Sequence, residues 1–381
     1  MVNRDSYLAK VNKGLSRNPV VSLTGPRQCG KTTLARQYIQ EAGGTFFDLE
    51  DPAVLEALQE PMSTLSGLEG LVVLDEAQRL PSLFPVLRVL CDRNLGKNGQ
   101  FLLLGSASPE LSRQVSESLA GRVELLEMRG FHHGELGGSN HQKLWICGGF
   151  PRSYLAANEE DSLAWRKNFI STFLERDLAA LGFGMSPQSM GRFWRMLAHY
   201  HGQIWNGSEI AGSMGIAPNT AKAYLDALEQ TYMVRRILPW FENVGKRLVK
   251  SPKIYFRDSG IFHSLLGIHS HQDLLTHPKL GASWEGFVLE GLLTLRDIQE
   301  PYFYSVHSGS ELDLFYFSGG KRIGVEIKRT DAPKLTKSMQ VCLQDLQLDA
   351  LHVIYPGELE YALAEKVRAI PFGKAIGTGD W

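Results

Sequence analysis

A single short motif constrains the fold of this chain more than any other stretch. Gly25 and Gly30 are separated by four residues, apolar residues precede Gly25, and Lys31-Thr32 directly follows Gly30. This G-x-x-x-x-G-K-[ST] pattern joins a strand to a helix, and its loop N–H groups bind phosphate together with the N-terminus of that helix. We expect Lys31 to contact the β- and γ-phosphates of ATP and the Thr32 hydroxyl to bind Mg²⁺. The residues predicted to bind the nucleotide are Gly25, Pro26, Arg27, Gln28, Cys29, Gly30, Lys31, Thr32 and Thr33.

Apolar runs alternate with helical patterns around this motif. Largely apolar segments at 45–49, 71–74, 101–104 and 123–128 follow the one that leads into the motif. Continuous apolar runs are typical of strands that are buried on both faces. Strands that alternate with helices indicate a parallel sheet, whose ligands bind at the carboxyl ends of the strands. We therefore predict an α/β fold with a parallel P-loop sheet.

Acidic and polar residues end two of these predicted strands. Asp75 and Glu76 follow one strand and Ser106 ends the next. We expect Asp75 to bind Mg²⁺ together with Thr32, as a carboxylate after an apolar strand does in P-loop enzymes. Glu76 is the predicted general base for the attacking water, and Ser106 is predicted to orient that water or to contact the γ-phosphate. With Lys31, these residues form the predicted catalytic edge of the sheet.

Arg122 is a further catalytic candidate, placed just before the fifth predicted strand. A positive charge at a helix C-terminus is favoured by the helix dipole, which is one explanation for an arginine there. The other explanation is an arginine finger that reaches the nucleotide of a neighbouring subunit. The position alone does not decide between the two.

These residues resemble one family, the prokaryotic AAA-type P-loop ATPases that carry a C-terminal domain of unknown function with a nuclease-like fold. The segments that carry the resemblance are 23–34, 74–79, 105–106, 117–122, 172–177 and 253–258. The resemblance implies an AAA+ sheet, assembly into an oligomer that can be a ring, and Arg122 as the arginine finger. It also has one departure, because Arg129-Gly130-Phe131 stands where the family often has a proline.

The middle of the chain has a helix-turn-helix pattern. A short helical run from Ser208 is followed by a turn at Gly215 and by a second helix with Pro218 at its first position. Its outward residues Asn219, Thr220 and Lys222 are predicted DNA contacts. Four basic residues lie between two predicted wing strands, with no acidic residue from 243 to 253: Lys246, Arg247, Lys250 and Lys253. We expect these to contact phosphates. A winged helix used only for packing or assembly is the alternative.

A hairpin is predicted near the C-terminus. Gly319-Gly320 separates two alternating runs, which is typical of a two-residue hairpin turn. In that register Asp313 faces Glu326 and Glu311 faces Lys328. Like charges that face each other destabilise a sheet, so we predict a divalent metal between Asp313 and Glu326.

The same hairpin suggests a nuclease-like site. Asp313, Glu326 and Lys328, with Glu285 on the preceding helix, resemble the pattern of PD-(D/E)XK nucleases. Lys328 is predicted to position or activate a hydrolytic water. Many such folds in composite proteins have lost catalysis, so the pattern leaves cleavage open.

Composition narrows the class of protein. Hydrophobic residues make up 43% and charged residues 21% of the 381 residues, which is typical of a folded protein. The net charge of −1 means that a surface for nucleic acid must be a local patch. The four cysteines are scattered, which favours reduced thiols, and no apolar run is long enough to cross a bilayer. With no signal peptide visible at the N-terminus, we expect a cytoplasmic protein without membrane contact.

The sequence thus predicts three domains: an AAA+ ATPase domain at 1–150, a helical and winged-helix domain at 151–275, and a PD-(D/E)XK nuclease-like α/β domain at 276–381. The expected function is Mg²⁺-dependent ATP hydrolysis coupled to the binding or remodelling of DNA, including branched DNA, in a homo-oligomer. Two alternatives stay open. One is a nucleotide-controlled signalling or assembly switch that binds protein partners, and the other is an ATP-gated, metal-dependent nuclease.

Overall fold

The structure is a computed structural model that describes residues 2–106, 109–137, 140–241, 248–307 and 309–377. The predicted DNA contacts Lys246 and Arg247 lie outside the described residues. The chain divides into two compact units. The first consists of Met1–Phe131, Glu175–Gly184 and Gln230–Tyr232, and the second of His132–Leu174, Met185–Glu229 and Met233–Trp381.

The first unit is built on a parallel sheet of five strands in the order β2-β3-β4-β1-β5. The strands are β1 (Val20–Gly25), β2 (Thr45–Asp48), β3 (Val72–Asp75), β4 (Phe101–Ser106) and β5 (Val123–Glu127), and the helices are α1 (Asp5–Arg17), α2 (Lys31–Ala42), α3 (Pro52–Ala57), α4 (Pro61–Ser66), α5 (Leu83–Arg93) and α6 (Pro109–Ser118). All four strand pairings are parallel, which confirms the predicted α/β fold.

Apolar side chains cover both faces of this sheet. Leu74 and Leu103 belong to one buried cluster, whereas their neighbours Val73 and Leu104 belong to another. Successive side chains of a strand point to opposite faces, so a continuous apolar run supplies a core on each side. This explains why these strands have no polar alternation, and it leaves the strand ends as the places where polar groups gather.

In the sequence, the stretch between β5 (Val123–Glu127) and β7 (Val234–Pro239) is mostly helical. Its helices are α7 (His141–Cys147), α8 (Pro151–Tyr154), α9 (Glu159–Thr172), α10 (Leu178–Ala180), α11 (Pro187–His199), α12 (Gly207–Met214) and α13 (Pro218–Gln230), with a π-helical turn at Phe173–Asp177. Gly215 ends α12 with a left-handed φ of 66°, so the two helices and the turn of the predicted helix-turn-helix are present. Asn219 and Lys222 are exposed on α13, and Thr220 is half-buried.

The second unit contains a mixed sheet of nine strands in the order β13-β14-β12-β11-β10-β9-β7-β8-β6. Its strands are β6 (Gln203–Ile204), β7 (Val234–Pro239), β8 (Lys253–Phe256), β9 (Tyr302–Ser305), β10 (Glu311–Ser318), β11 (Lys321–Ile327), β12 (Ala350–Tyr355), β13 (Tyr361–Ala364) and β14 (Val367–Pro371). Its later helices are α14 (Ser259–Leu266), α15 (His271–Thr276), α16 (Leu280–Leu295), α17 (Lys337–Asp345) and α18 (Phe372–Ala375).

One strand pairing connects the predicted middle and C-terminal domains. β7 pairs with β8 on one side and, in parallel, with β9 on the other, where Leu238 is opposite Tyr302. The two predicted wing strands therefore belong to the same sheet as the predicted nuclease-like strands. The compact units are divided differently from the predicted boundaries at 150 and 275.

The predicted hairpin is present with its predicted register. Gly319 and Gly320 have φ values of 55° and 78°, a conformation that glycine adopts without strain and that suits a tight two-residue turn. Ser318 pairs with Lys321 and the pairing continues without a shift to Leu314 and Val325. Asp313 and Glu326 follow next on the two strands.

Two further findings concern the predictions about membrane spans and cysteines. In the part of the chain that the structure describes, no helix is both long and apolar enough to span a bilayer. The four cysteines are buried free thiols.

Candidate nucleotide site and carboxylate cluster

The loop between β1 and α2 closes around its own lysine. The Lys31 side chain is buried, and its Nζ donates to the carbonyl oxygens of Gly25 at 3.1 Å and Pro26 at 2.9 Å. Gly30 precedes α2 with a left-handed φ of 102°, and it has no side chain to cap the N–H groups of the first turn. A Cβ on Gly25 would lie 2.0 Å from the carbonyl oxygen of Met128. The loop thus combines a cation with a first helical turn that no Gly30 side chain caps, and such N–H groups and a lysine are the donors that bind phosphate.

The hydroxyl and carboxylate predicted to hold Mg²⁺ lie side by side. Thr32 Oγ1 donates to Asp75 Oδ2 at 2.7 Å, and the other oxygen of Asp75 accepts from the Glu76 N–H at 2.9 Å. Burial raises the pKa of Asp75 above its ordinary value, and the hydrogen bonds from Thr32 and Glu76 oppose that rise. Two hard oxygen donors at one strand end fit a Mg²⁺ ion that keeps waters and phosphate oxygens as its other ligands.

Glu76 has an unusual backbone and a held carboxylate. Its φ of 52° and ψ of 44° are left-handed, a conformation that residues with a Cβ seldom adopt. The side-chain amide of Gln78 donates to its Oε2, and Ser106 Oγ lies 3.5 Å from its Oε1. The structure therefore brings Glu76 and Ser106 together as predicted and adds Gln78, which is not among the predicted site residues.

Two partners of the nucleotide loop come from far along the chain. Arg27 Nη1 is 2.5 Å from Asp177 Oδ1, and the Asp177 carboxylate is almost fully buried. Tyr232 Oη donates to Thr24 Oγ1 at 2.9 Å. Both partners belong to the short segments that the first unit takes from later sequence. The only signal for them was that Asp177 ends one of the segments that carry the family resemblance.

Arg4 holds the other side of the loop. Its Nη1 donates to the carbonyl oxygen of Cys29 at 2.9 Å, and its Nη2 donates to those of Arg129 at 2.9 Å and Gly130 at 3.2 Å. The Arg4 side chain is buried. This contact fixes the chain after β5, where the sequence departs from the family pattern.

Arg122 lies away from the nucleotide residues of its own sheet. It precedes β5, and its carbonyl oxygen accepts from the N–H of Val20 at the start of β1. Because the strands are parallel, Arg122 is at the opposite edge from Asp75. Its guanidinium is about one-third exposed and binds Asp92 through two hydrogen bonds of 2.7 and 3.1 Å.

Lys253 is not on the surface, which corrects its assignment as a DNA contact. Its side chain is 2% exposed, and its ammonium lies 3.4 Å from Asp313 Oδ1 and 3.6 Å from Glu285 Oε1 and forms a third ion pair with Glu311. The correction has a simple cause, because β8 pairs in the interior of the second unit's sheet and turns this side chain toward the carboxylates. Lys250, three residues earlier, is exposed.

The hairpin carboxylates are buried and perturbed. Burial, and then the negative charge of Asp313, raise the pKa of Glu326 to about 8 and that of Glu285 to about 7. Lys328 Nζ is 2.5 Å from Glu326 Oε1, two residues earlier in the chain, and Glu311 pairs with Lys253. Burial lowers the pKa of Lys253, but the oxygens of Tyr255 and of the carboxylates raise it well above its ordinary value.

The metal predicted between Asp313 and Glu326 stays a prediction, and two ammonium groups of the protein compete for its ligands. Among the described residues, no group of three or more His, Cys, Asp or Glu side chains is arranged to hold a metal ion. The like charges that motivated the prediction are offset by the ammonium groups of Lys253 and Lys328.

Comparison with known families divides the chain into three stretches. An AAA domain family matches residues 17–137. A domain of unknown function (DUF8612) matches residues 139–272, and a second one (DUF4143) matches residues 280–375.

Two mycobacterial proteins are similar over the whole chain. A Mycobacterium tuberculosis protein described as "Uncharacterized protein Rv2008c" is 50% identical over 379 residues, which covers 100% of this chain and 86% of the relative. "Uncharacterized protein Mb2031c" of Mycobacterium bovis matches with the same values. Among solved structures, the Walker-type ATPase paby2304 of Pyrococcus abyssi is 16% identical and has a TM-score of 0.48, over 70% of this chain and 96% of that one.

Proposed function

This chain belongs to one family with its two mycobacterial relatives and carries an AAA domain, and from that premise we propose that it is a Mg²⁺-dependent ATPase whose hydrolysis is coupled to the binding or remodelling of DNA. The observation that supports ATP hydrolysis most directly is the grouping of Lys31, Thr32, Asp75 and Glu76. A phosphate-binding cation, two Mg²⁺ ligands and a general base are the parts that such a reaction requires.

Each of these side chains has one task in the proposed reaction. Lys31 exchanges its contacts with the loop carbonyls for contacts with the nucleotide phosphates. Thr32 and Asp75 hold Mg²⁺, which neutralises charge on the β- and γ-phosphates when it is bound. Glu76 takes the proton of the attacking water on its carboxylate, and Gln78 and Ser106 keep that carboxylate in place.

Arg122 is proposed to complete the site of a neighbouring subunit. It lies at the sheet edge opposite Asp75, so it serves another copy's nucleotide and not its own. The exposed part of its guanidinium and its hydrogen bonds with Asp92 support a positioned, accessible charge. The proposal therefore includes a homo-oligomer, with a ring as its closed form.

The second unit is proposed to supply the DNA contacts. Asn219 and Lys222 are exposed on α13, and Lys250 is exposed beside β8. Thr220 on the same helix is half-buried. The proposed DNA contacts also include Lys246 and Arg247, which lie outside the described residues. Exposed lysines beside a helix-turn-helix are typical of phosphate contacts. The proposal also assigns a winged-helix shape to this part and a PD-(D/E)XK-like shape to the strands around the hairpin.

One assay tests both halves of the proposal. We expect the protein to hydrolyse ATP in the presence of Mg²⁺ and to do so faster when linear duplex or four-way DNA is added. The Lys31→Ala variant is the control for contaminating activity. No turnover above that control contradicts the ATPase assignment. If neither DNA changes the rate of ATP hydrolysis, hydrolysis is not coupled to DNA. That result favours the alternative, a nucleotide-controlled switch that binds protein partners.

A further inference from the structure

An ammonium group stands among the carboxylates where the sequence predicts a divalent cation. Lys253 Nζ contacts the side chains of Glu285, Glu311 and Asp313, which come from α16 and β10. It also lies 5.6 Å from the centre of the Phe303 ring. The Lys253 side chain is 2% exposed, and the Tyr255 oxygen also raises the pKa of its ammonium.

Asp313 and Glu285, two of the carboxylates around Lys253, each have a further protein partner. Asp313 Oδ2 accepts from the N–H of Ile327 at 2.8 Å, while its Oδ1 faces the ammonium. Glu285 Oε1 accepts from Tyr255 Oη at 2.5 Å and is also the oxygen nearest Lys253. Mg²⁺ binds through one or two carboxylates together with waters and phosphate oxygens. Here Asp313 Oδ1, Asp313 Oδ2 and Glu285 Oε1 each have a protein partner.

One oxygen at the edge of the cluster differs. Glu326 is 6% exposed, and its Oε2 has no hydrogen-bond partner among the described residues. Its other oxygen is held by Lys328. A buried carboxylate oxygen without a partner is costly, so this group is where an incoming cation gains most.

We infer that Lys253 is the resident cation of this carboxylate cluster and that it closes the cluster to divalent metal ions. An ammonium and a divalent cation compete for the same oxygens, and the ammonium is covalently attached to β8. The ammonium of Lys253 is therefore always present at the carboxylates, whereas a divalent ion must bind from solution. The chain does not use these carboxylates as a metal-dependent nuclease centre while Lys253 is in place. Without the ammonium, Asp313 and Glu326 can share one divalent cation that takes waters as its remaining ligands.

The strand that carries Lys253 explains how the ammonium reaches the cluster. β8 pairs with β7 and β6 in the same sheet as β10, so the side chain enters from the predicted middle domain. Lys328, next to the hairpin, pairs with Glu326, whereas the charge beside Asp313 and Glu285 comes from β8. The pattern Asp313, Glu326 and Lys328 is therefore retained in sequence while its centre is filled from a distant strand.

The test is calorimetric titration of Mn²⁺ into the full-length, nucleotide-free protein. We expect no saturable binding that depends on Asp313 in the wild type. Lys253→Met keeps the length of the side chain and removes its charge, and we expect it to gain one Mn²⁺ site with affinity at least about 100-fold above the wild type. Lys253→Met with Asp313→Asn is the matched control, which subtracts any Mn²⁺ held elsewhere, including at Asp75.

A second variant covers the chance that the single change prevents folding. Lys253→Met with Glu311→Gln removes one carboxylate charge along with the ammonium, and it leaves Glu285, Asp313 and Glu326 intact. Mn²⁺ should raise its melting temperature by more than it raises that of the wild type, in which the ion can bind only at other sites such as Asp75. Equal Asp313-dependent Mn²⁺ binding by the wild type and Lys253→Met overturns the inference. So does a folded Lys253 variant that binds no Mn²⁺.

Discussion

Glu76 joins an uncommon backbone conformation to the reacting end of its side chain. A left-handed residue with a Cβ costs about 1–2 kcal/mol, and such residues persist where surrounding contacts hold them. Here the next residues form a 3-10 turn at Ala77–Arg79, and Gln78 in that turn donates to the Glu76 carboxylate. The strained residue is therefore the one whose carboxylate is held in place by a hydrogen bond from its own loop.

Replacing Glu76 by Gln should separate ATP binding from ATP hydrolysis. The amide keeps the size of the side chain but cannot take a proton, so turnover should fall by about 10²–10⁴-fold. Nucleotide binding, followed with a fluorescent ATP analogue, should stay close to that of the wild type. Lys31→Ala is the contrasting variant, because it should weaken binding as well. Normal turnover by Glu76→Gln would remove Glu76 from the role of base.

His201 makes folding depend on pH in acid. It is fully buried, and its Nδ1 accepts from the N–H of Phe256 at 2.9 Å. Burial lowers the pKa of His201 to about 3, with Lys279 adding to the decrease and Glu290 opposing it. An unfolded histidine has a pKa of about 6.5, so its stabilising contribution is complete above that pH and falls as the pH decreases toward 3.

His201→Asn should therefore flatten the acid side of the stability curve. The Asn side-chain oxygen replaces the acceptor for Phe256 without adding a group that titrates. Between about pH 6 and pH 4, the free energy of unfolding should fall less steeply, by about 1.4 kcal/mol per pH unit, than in the wild type. Urea unfolding across this range measures the slope. A variant with the wild-type slope, at any absolute stability, assigns the acid sensitivity to other buried groups such as His263.

At the level of elements, the sequence predicted correctly those features that neighbouring residues determine, such as the hairpin. The two-residue turn and the alternation of β10 and β11 were sufficient to predict the register of the hairpin, because a slip by one residue would reverse both faces. Lys253 could not be placed in the same way. Its partners lie on α16 and β10, tens of residues away, and a basic stretch in the sequence does not reveal which of its members faces inward.

The same limit applies to the nucleotide site. Lys31, Thr32, Asp75, Glu76 and Ser106 follow from strand ends on one edge of a parallel sheet, which is why the motif and two apolar runs sufficed. The ion pair of Arg27 with Asp177 depends on which later segment packs against the loop. That choice is made by tertiary contacts and has no periodic signature.

Helix α13 provides a prediction of its own. If Lys222 contacts a DNA phosphate, Lys222→Ala should lower the slope of log binding constant against log salt by about 0.9 on duplex DNA. Lys167→Ala is the matched control, since Lys167 is also exposed on a helix of the second unit. Fluorescence anisotropy at four salt concentrations gives the slopes. Equal slopes for the two variants would leave α13 as a packing or assembly helix.

At the level of the whole molecule, activity should depend on pairs of subunits. Arg122→Ala and Lys31→Ala proteins should each be nearly inactive, because a finger supplied by a neighbour is worth about 10³–10⁵ in rate. Mixing the two should restore part of the activity, since some interfaces then combine an intact loop with an intact arginine. Asp92→Asn is the control that breaks the ion pair and keeps the arginine. A mixture no more active than its components counts against action in trans.

The composition of the first unit has a consequence for how the protein is made. A ribosome has released all five strands of the parallel sheet well before it adds Tyr232, roughly 100 residues after Phe131. At about 5–20 residues per second, the interval is about 5–20 s. Throughout that time Thr24 lacks its partner Tyr232, and for about the first half of it Arg27 also lacks its partner Asp177. The loop for ATP is therefore finished only after both helices of the helix-turn-helix have been synthesised.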